Sequence, residues 1–173
     1  MPSNCDLSDS GQYAVRHNPA ACYTNIRTDC QTYDVPLGST PDISARFTFV
    51  TPNVCNDMHD CTVQTGDSWL STLLPKVFSS AEHQAGRTAV FLTWDEDESS
   101  ASNHIATLVI APSVAPGTTS STSCDHCSML RTTEELLGLG SFGYGAAFRR
   151  SSATRSSWRS GGDQEASQPQ ASS

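Results

Sequence analysis

Polar and turn-forming residues dominate the first 45 positions, where Asn18-Pro19, Asp34-Val35-Pro36 and Thr40-Pro41-Asp42 interrupt any apolar period. This stretch reads as a loop-rich segment with at most one short helix near positions 13–17. A second short helix is expected to open at Pro41-Asp42-Ile43, with Thr40 as its N-cap. The run Arg46-Phe47-Thr48-Phe49-Val50-Thr51-Pro52 is β-branched and aromatic and is closed by proline, which predicts a strand. A polar loop follows over 53–66. Asp67-Ser68-Trp69-Leu70 then opens a helix whose apolar positions Trp69, Leu70, Leu73, Leu74, Val77 and Phe78 recur at helical spacing. Pro75 should bend or divide that helix.

The pattern changes again at Thr88-Ala89-Val90-Phe91-Leu92-Thr93-Trp94, a nearly continuous apolar run of the kind found in strands covered on both faces. A similar run spans 105–111. The acidic loop 95–103 lies between them, and a Ser/Thr/Gly/Pro linker occupies 113–123. The last periodic segment, 128–138, is a helix that Ser128 can cap and Gly138 can end in the left-handed conformation. From 140 to 173 the chain is rich in serine and arginine and has no periodic apolar face, so a low-complexity, disordered tail is expected. Strand, loop, helix, strand, acidic loop, strand, linker and helix, in that order, point to a layered α/β domain over 1–139. Ligands of such sheets bind beyond the carboxyl ends of the strands.

Composition narrows the picture. The apolar fraction is 36% of 173 residues, low for a compact globule, which fits a disordered tail or an incomplete domain. Up to Leu139 there are 16 acidic and 6 basic residues, a net of −10. Nucleic-acid binding needs a basic footprint and is therefore not expected. No apolar run is long enough to span a bilayer as a helix. Seven cysteines point to an oxidising compartment. The first residues carry no signal peptide, so the expectation is a secreted or envelope-exterior protein whose leader lies in a missing N-terminus.

Three polar clusters could carry chemistry. Asp95-Glu96-Asp97-Glu98 directly follows an apolar strand. Adjacent carboxylates there repel one another unless a hard divalent cation offsets them, although a solvated acidic turn gives the same pattern. His59 lies in Cys55-Asn56-Asp57-Met58-His59-Asp60-Cys61. A disulfide across that loop would contribute about 2.4 kcal/mol in the chain-entropy model and would fix the imidazole's direction. His59 could then donate to a phosphate or protonate a leaving group, whereas the bland alternative is a stapled surface turn. Zinc at Cys55 and Cys61 would need an unusual five-residue spacing. His126 sits in Asp125-His126-Cys127-Ser128 at the mouth of the last helix, and His104 precedes the last strand. His17 and His83 have no supporting context. Cys5 with Cys30 is compatible with a second bridge, which leaves Cys22, Cys124 and Cys127 as an odd set. Cys124-x2-Cys127 lacks the second pair of a zinc knuckle and the context of a redox motif.

Taken together, Asn56-Asp57-Met58-His59-Asp60, Gly66-Asp67-Ser68-Trp69-Leu70, Thr93-Trp94-Asp95-Glu96-Asp97 and Asp125-His126-x-Ser128-Met129-Leu130-Arg131-Thr132-x-Glu134 resemble the bacterial phosphoesterase family of secreted acid phosphatases and phospholipase C-type enzymes. The resemblance covers roughly 5–139. It implies a partial alkaline phosphatase-like α/β/α layered domain that hydrolyses phosphate esters at a metal site. It also implies metal binding by Asp95 and Glu96, with the identity of the cation open, and a phosphate-side role for His59. Asp57 and Asp60 are weaker carry-overs, and His126 matches the histidine of the last motif.

The departures matter equally. The family's N-terminal half supplies a Glu-Asn metal-binding pair and a nucleophilic Ser or Thr, and nothing here matches it. The chain is therefore expected to be the C-terminal portion, with weak or no catalysis alone. A noncatalytic secreted metal-binding module and a nonfunctional remnant are the competing expectations. A phosphate analogue separates the module from the enzyme, because a module has no reason to bind one through His59.

Overall fold

The computed structural model describes residues 1–100 and 102–140. These fall into two compact units, one over 1–88 and one beginning at Ala89. The first unit holds α1 (Pro19–Cys22), α2 (Arg27–Tyr33), α3 (Val63–Phe78) and α4 (Ala81–Gln84), with 3-10 turns at Val15–His17 and Thr24–Ile26. The second holds β1 (Val90–Thr93), β2 (Thr107–Ile110) and α5 (His126–Leu137). Among the described residues, the secondary structure is thus mixed helix with a single two-stranded sheet.

The first unit contains the buried apolar residues: Cys5, Ala14, Ala21, Cys30, Val54, Leu73 and Val77. Most are small, so the N-terminal segment is held more by cross-links and hydrogen bonds than by apolar volume. A Cys5–Cys30 disulfide ties the N-terminus to α2. The Cys5 amide donates to Asp34 O at 2.9 Å. Asn18 Nδ2 donates to Asp34 Oδ2 at 2.7 Å, and Tyr13 Oη donates to Asp6 O at 2.8 Å. This segment was expected to be almost all loop, but the bridge at Cys30 stabilises α2 within it. The expected helix at Pro41-Asp42-Ile43 does not form. Asp42 instead accepts from the Ser44 amide at 2.9 Å, a local turn that competes with helix formation.

Helix α3 starts earlier than its apolar spacing predicts, because Thr62 Oγ1 accepts from the Thr65 amide and caps it. Pro75 lies inside α3 without dividing it, and Leu73 and Val77 on either side are buried. The expected strand at 46–52 is absent. Phe47 and Phe49 are 55% and 67% exposed, and their rings stack on each other at 6.5 Å. Apolar β-branched composition becomes a strand only where a partner satisfies the backbone, and no described residue supplies that ladder.

In the second unit, β1 and β2 pair antiparallel with Val90 opposite Ile110 and Thr93 opposite Thr107. The threonine hydroxyls meet at 2.9 Å. These runs were expected to be covered on both faces, but β1 is only half-buried throughout and Leu108 of β2 is exposed. Two strands cannot shield each other's faces. Helix α5 is capped by Asp125 rather than Ser128: the Asp125 carboxylate accepts from the Ser128 amide, and the Ser128 hydroxyl oxygen accepts from the Asp125 amide. Gly138 ends the helix at φ +68°, as its position predicts. Glu134 of α5 is buried, with Arg131 Nη1 at 3.7 Å. The expected tail lies outside the described residues beyond Gly140.

Candidate active site

The His59 loop is built from backbone outward. Asn53 Oδ1 accepts from the amides of Cys55 and Asn56, at 3.2 and 2.9 Å, and so turns the chain out of the preceding segment. The Asp60 amide donates back to Val54 O at 2.7 Å, and a Cys55–Cys61 disulfide closes the loop. Met58 takes a left-handed φ of +74° at the tip. The loop lies against the first turn of α3 at Gly66, where a Cβ would come within 2.4 Å of Met58 Cε and 2.9 Å of Asn56 O. Glycine is therefore required there for close approach.

Within this frame His59 Nδ1 meets Asp60 Oδ1 at 2.7 Å. With the carboxylate ionised, that contact places a proton on Nδ1 and leaves Nε2 for a ligand. Asp57 does two things: its Oδ1 accepts from the His59 amide at 2.8 Å, and its Oδ2 lies 3.0 Å from His17 Nδ1. The rings of His17 and His59 have centroids 5.7 Å apart, tilted by 59°. His17 has no mark in the sequence that separates it from an ordinary surface histidine. Its partner stands 40 positions away, and no spacing rule reaches that far.

In the second unit, Asp95 and Glu96 follow β1 after Trp94 and are exposed. Asp97 is a loop fastener. Its Oδ1 accepts from the Ser99 amide at 2.7 Å and its Oδ2 from the Asn103 amide at 2.8 Å, while Asn103 Oδ1 accepts from the Asp97 amide. That closure leaves Asp95 and Glu96, whose carboxylates have no hydrogen bond or ion pair among the described residues. Two adjacent unpaired carboxylates are the donor type a hard divalent cation takes, so the residues present fit part of such a site. Among the described residues, the group of three potential ligands that lies within reach of a common ion is Cys5, Cys30 and Asp34. Its two sulfurs are bonded to each other, so it is not a metal site.

His126 is placed by the first turn of α5, where its Nε2 contacts the backbone carbonyl of Asp95 at 2.7 Å. It pins the acidic loop to the helix. Beside it, hydrogen bonds from the Ser128 amide and hydroxyl hold the Asp125 carboxyl below the usual aspartate range. His104 is exposed between the acidic loop and β2, and no side-chain bond ties it to the described residues of either.

A family model, the Phosphoesterase family, matches residues 33–140. The chain belongs to that family. The match takes in the His59 loop, Gly66, the acidic loop and α5, and it starts after His17. A phosphatidylinositol-3-phosphatase of Mycobacterium tuberculosis is 34% identical over 80% of this chain and 46% of its own length. A phosphate-repressible acid phosphatase of Penicillium chrysogenum is 28% identical over 79% of the chain and 36% of its own length. An acid phosphatase of Aspergillus fumigatus is 26% identical over 76% and 32%. The chain thus spans less than half the length of these curated phosphoesterase relatives. No solved structure matches it. No helix among the described residues is long and apolar enough to cross a membrane.

Proposed function

We propose that this chain is the part of a secreted, metal-dependent phosphoesterase that supplies the phosphate-side imidazole His59 and the metal-binding carboxylates Asp95 and Glu96. The observation that carries the reading is His59 itself: a disulfide-closed loop, an Asp60 partner on Nδ1 and an Nε2 without a partner among the described residues, within a segment that belongs to the family. In its imidazolium form, with a proton on each nitrogen, His59 would donate from Nε2 to a phosphoryl oxygen or protonate the departing oxygen. A divalent cation, when bound, would lower the pKa of a hydroxyl nucleophile and offset phosphoryl charge. Asp95 and Glu96 would hold it, and His126 would act as a positioning residue through the Asp95 carbonyl. The complete domain would be the layered α/β/α arrangement that the family resemblance implies, with the nucleophile outside the described residues.

The names of the relatives set the substrates to assay: a phosphoinositide headgroup for the mycobacterial one and soluble monoesters for the acid phosphatases. Secretion is supported by the two disulfides, which persist in oxidising compartments. The test is turnover of p-nitrophenyl phosphate with added divalent metals. The 173-residue chain alone should show little or none. In a longer protein containing it, His59→Asn and Asp95→Ala should each lower kcat by about 10²–10⁴. Full activity in either variant would overturn the reading.

A further inference from the structure

We propose that Cys124 and Cys127 are a redox pair whose disulfide cannot coexist with the capping box of α5, so that oxidation releases His126 from the Asp95 carbonyl. The inference goes beyond the phosphoesterase reading and needs no bound cation.

Three observations carry it. First, the two thiols are placed for one another and for an outside reagent. They stand three positions apart at the entrance to α5, Cys124 just before the N-cap Asp125 and Cys127 in the first turn. Both are unbonded, Cys124 exposed and Cys127 half-buried, whereas four of the other five cysteines are paired. Second, the residues between them carry the contacts that an oxidised pair would disturb. Asp125 Oδ1 accepts from the Ser128 amide at 2.8 Å, and the Asp125 amide donates to Ser128 Oγ at 3.3 Å. His126 Nε2 contacts Asp95 O at 2.7 Å. Third, the cap and a bridge need different backbones. Asp125 is extended, at φ −139° and ψ −176°. An extended residue carries Cys124 along the chain and away from the first turn. A disulfide needs Cα atoms about 4.4–6.8 Å apart. Closing the pair therefore turns Asp125 out of its N-cap conformation, and His126, inside the closed loop, moves with it.

The exchange balances with a low-molecular-weight disulfide, R–S–S–R, as oxidant. The exposed Cys124 thiolate attacks one of its sulfurs, forms a mixed disulfide and expels RS⁻. The Cys127 thiolate then attacks the Cys124 sulfur and expels the second RS⁻. Two protein thiols are oxidised, one R–S–S–R is reduced to two RSH, and the two thiol protons end on the released thiols. A bridge that forms at the expense of a helix cap is of the labile kind, so the pair acts as a switch and not as a staple. In the oxidised form the acidic loop loses the His126 contact and is left with the Asp97–Asn103 closure.

The experiment equilibrates the 173-residue chain, carrying Cys22→Ser to remove the odd thiol, in mixtures of glutathione and glutathione disulfide. Alkylation and mass spectrometry of the tryptic peptide 88–131, which holds both cysteines and no other, read the bridge. NMR reads the Ser128 amide and the His126 Cε1–H. Both alkylation sites should disappear together at one midpoint, with no glutathione added to the peptide. Both resonances should shift at that midpoint, while Cys5–Cys30 and Cys55–Cys61 stay closed. Asp125→Ala removes the competing cap and should let the bridge form at about fivefold less glutathione disulfide, the factor a helix cap contributes. Cys127→Ser should form the mixed disulfide alone and leave the Ser128 amide in its capped position. The inference is overturned if the pair stays a dithiol in excess glutathione disulfide, if it takes up glutathione without closing, or if it closes with Ser128 and His126 unmoved. An Asp125→Ala midpoint equal to the parent's would likewise show that cap and bridge do not compete.

Discussion

Gly66 shows how one missing side chain can set the direction of an imidazole seven residues away. A Cβ there would overlap Met58 Cγ at 2.6 Å and the Asn56 carbonyl at 2.9 Å. Met58 can move, but a backbone carbonyl inside a disulfide-closed turn cannot do so cheaply. Gly66→Ala should therefore destabilise the first unit by about 1–3 kcal/mol, the range for overpacking, read as a lower urea midpoint at unchanged slope. Adding Met58→Ala should recover only part of that loss, because the carbonyl contact remains. Complete recovery would show that the carbonyl exerts no constraint. At this scale the sequence was partly legible. Gly66 stood out only through resemblance, since nothing in its neighbours reveals which backbone it approaches. His59 was legible because its cysteine brackets and Asp60 are adjacent in the chain. His17 was not, because its partner Asp57 is brought near only by folding. Asp97, grouped with its acidic neighbours by composition, turned out to serve the loop through Ser99 and Asn103.

Helices were legible where their capping chemistry is local. Gly138 marked the end of α5 correctly, since a left-handed residue after an apolar period has few other uses. The start was misplaced by three residues because Asp125 and Ser128 can each cap, and in the folded chain they do so reciprocally. That box makes a pH prediction. The Ser128 amide first, then its hydroxyl, lowers the Asp125 pKa in the folded chain. A depressed carboxyl contributes stability that is fully present above its unfolded value, about 3.9, and that is lost as pH falls through the lower folded value. The Ser128 amide resonance should therefore move upfield as the cap is protonated in that acid window, with fraying of α5. Asp125→Ala should abolish the titration, and a Ser128 amide that still titrates there would assign the effect to another group. Strands were less legible. Composition marked both 46–52 and, more clearly, 88–94 as strands, but of these two runs only the second, at Val90–Thr93, has a strand partner among the described residues. Pairing is a property of the fold, and a segment's own residues cannot declare it.

At the scale of the molecule, the two units depend on different forces. The first has small buried residues and two disulfides, and Cys5–Cys30 closes the larger loop, with a sequence separation of 25. Its chain-entropy contribution is about 3.5 kcal/mol. Reduction should therefore lower the melting temperature of the first unit markedly, and Cys5→Ser with Cys30→Ser should reproduce the effect without reductant. The second unit has no cross-link among its described residues. Its sheet is a lone hairpin with half-buried strands and Leu108 exposed, and such hairpins are marginal in water. Hydrogen exchange can read this directly. Amides of β1 and β2 should exchange well before those around Leu73 and Val77 in α3, because the opening free energy follows local burial. The consequence reaches the chemistry. Asp95 and Glu96 hang from the end of β1, held by the Asp97–Asn103 closure and the His126 contact, so their cation affinity is limited by how often the hairpin opens. Saturating divalent cation should slow exchange in β1 and β2 if the carboxylates bind it, since a ligand that binds only the folded form stabilises that form. His126→Ala should weaken the protection by freeing the Asp95 carbonyl. Hairpin exchange as slow as that of α3 without any cation would contradict this account of the second unit, and no slowing at saturating cation would remove Asp95 and Glu96 as its ligands.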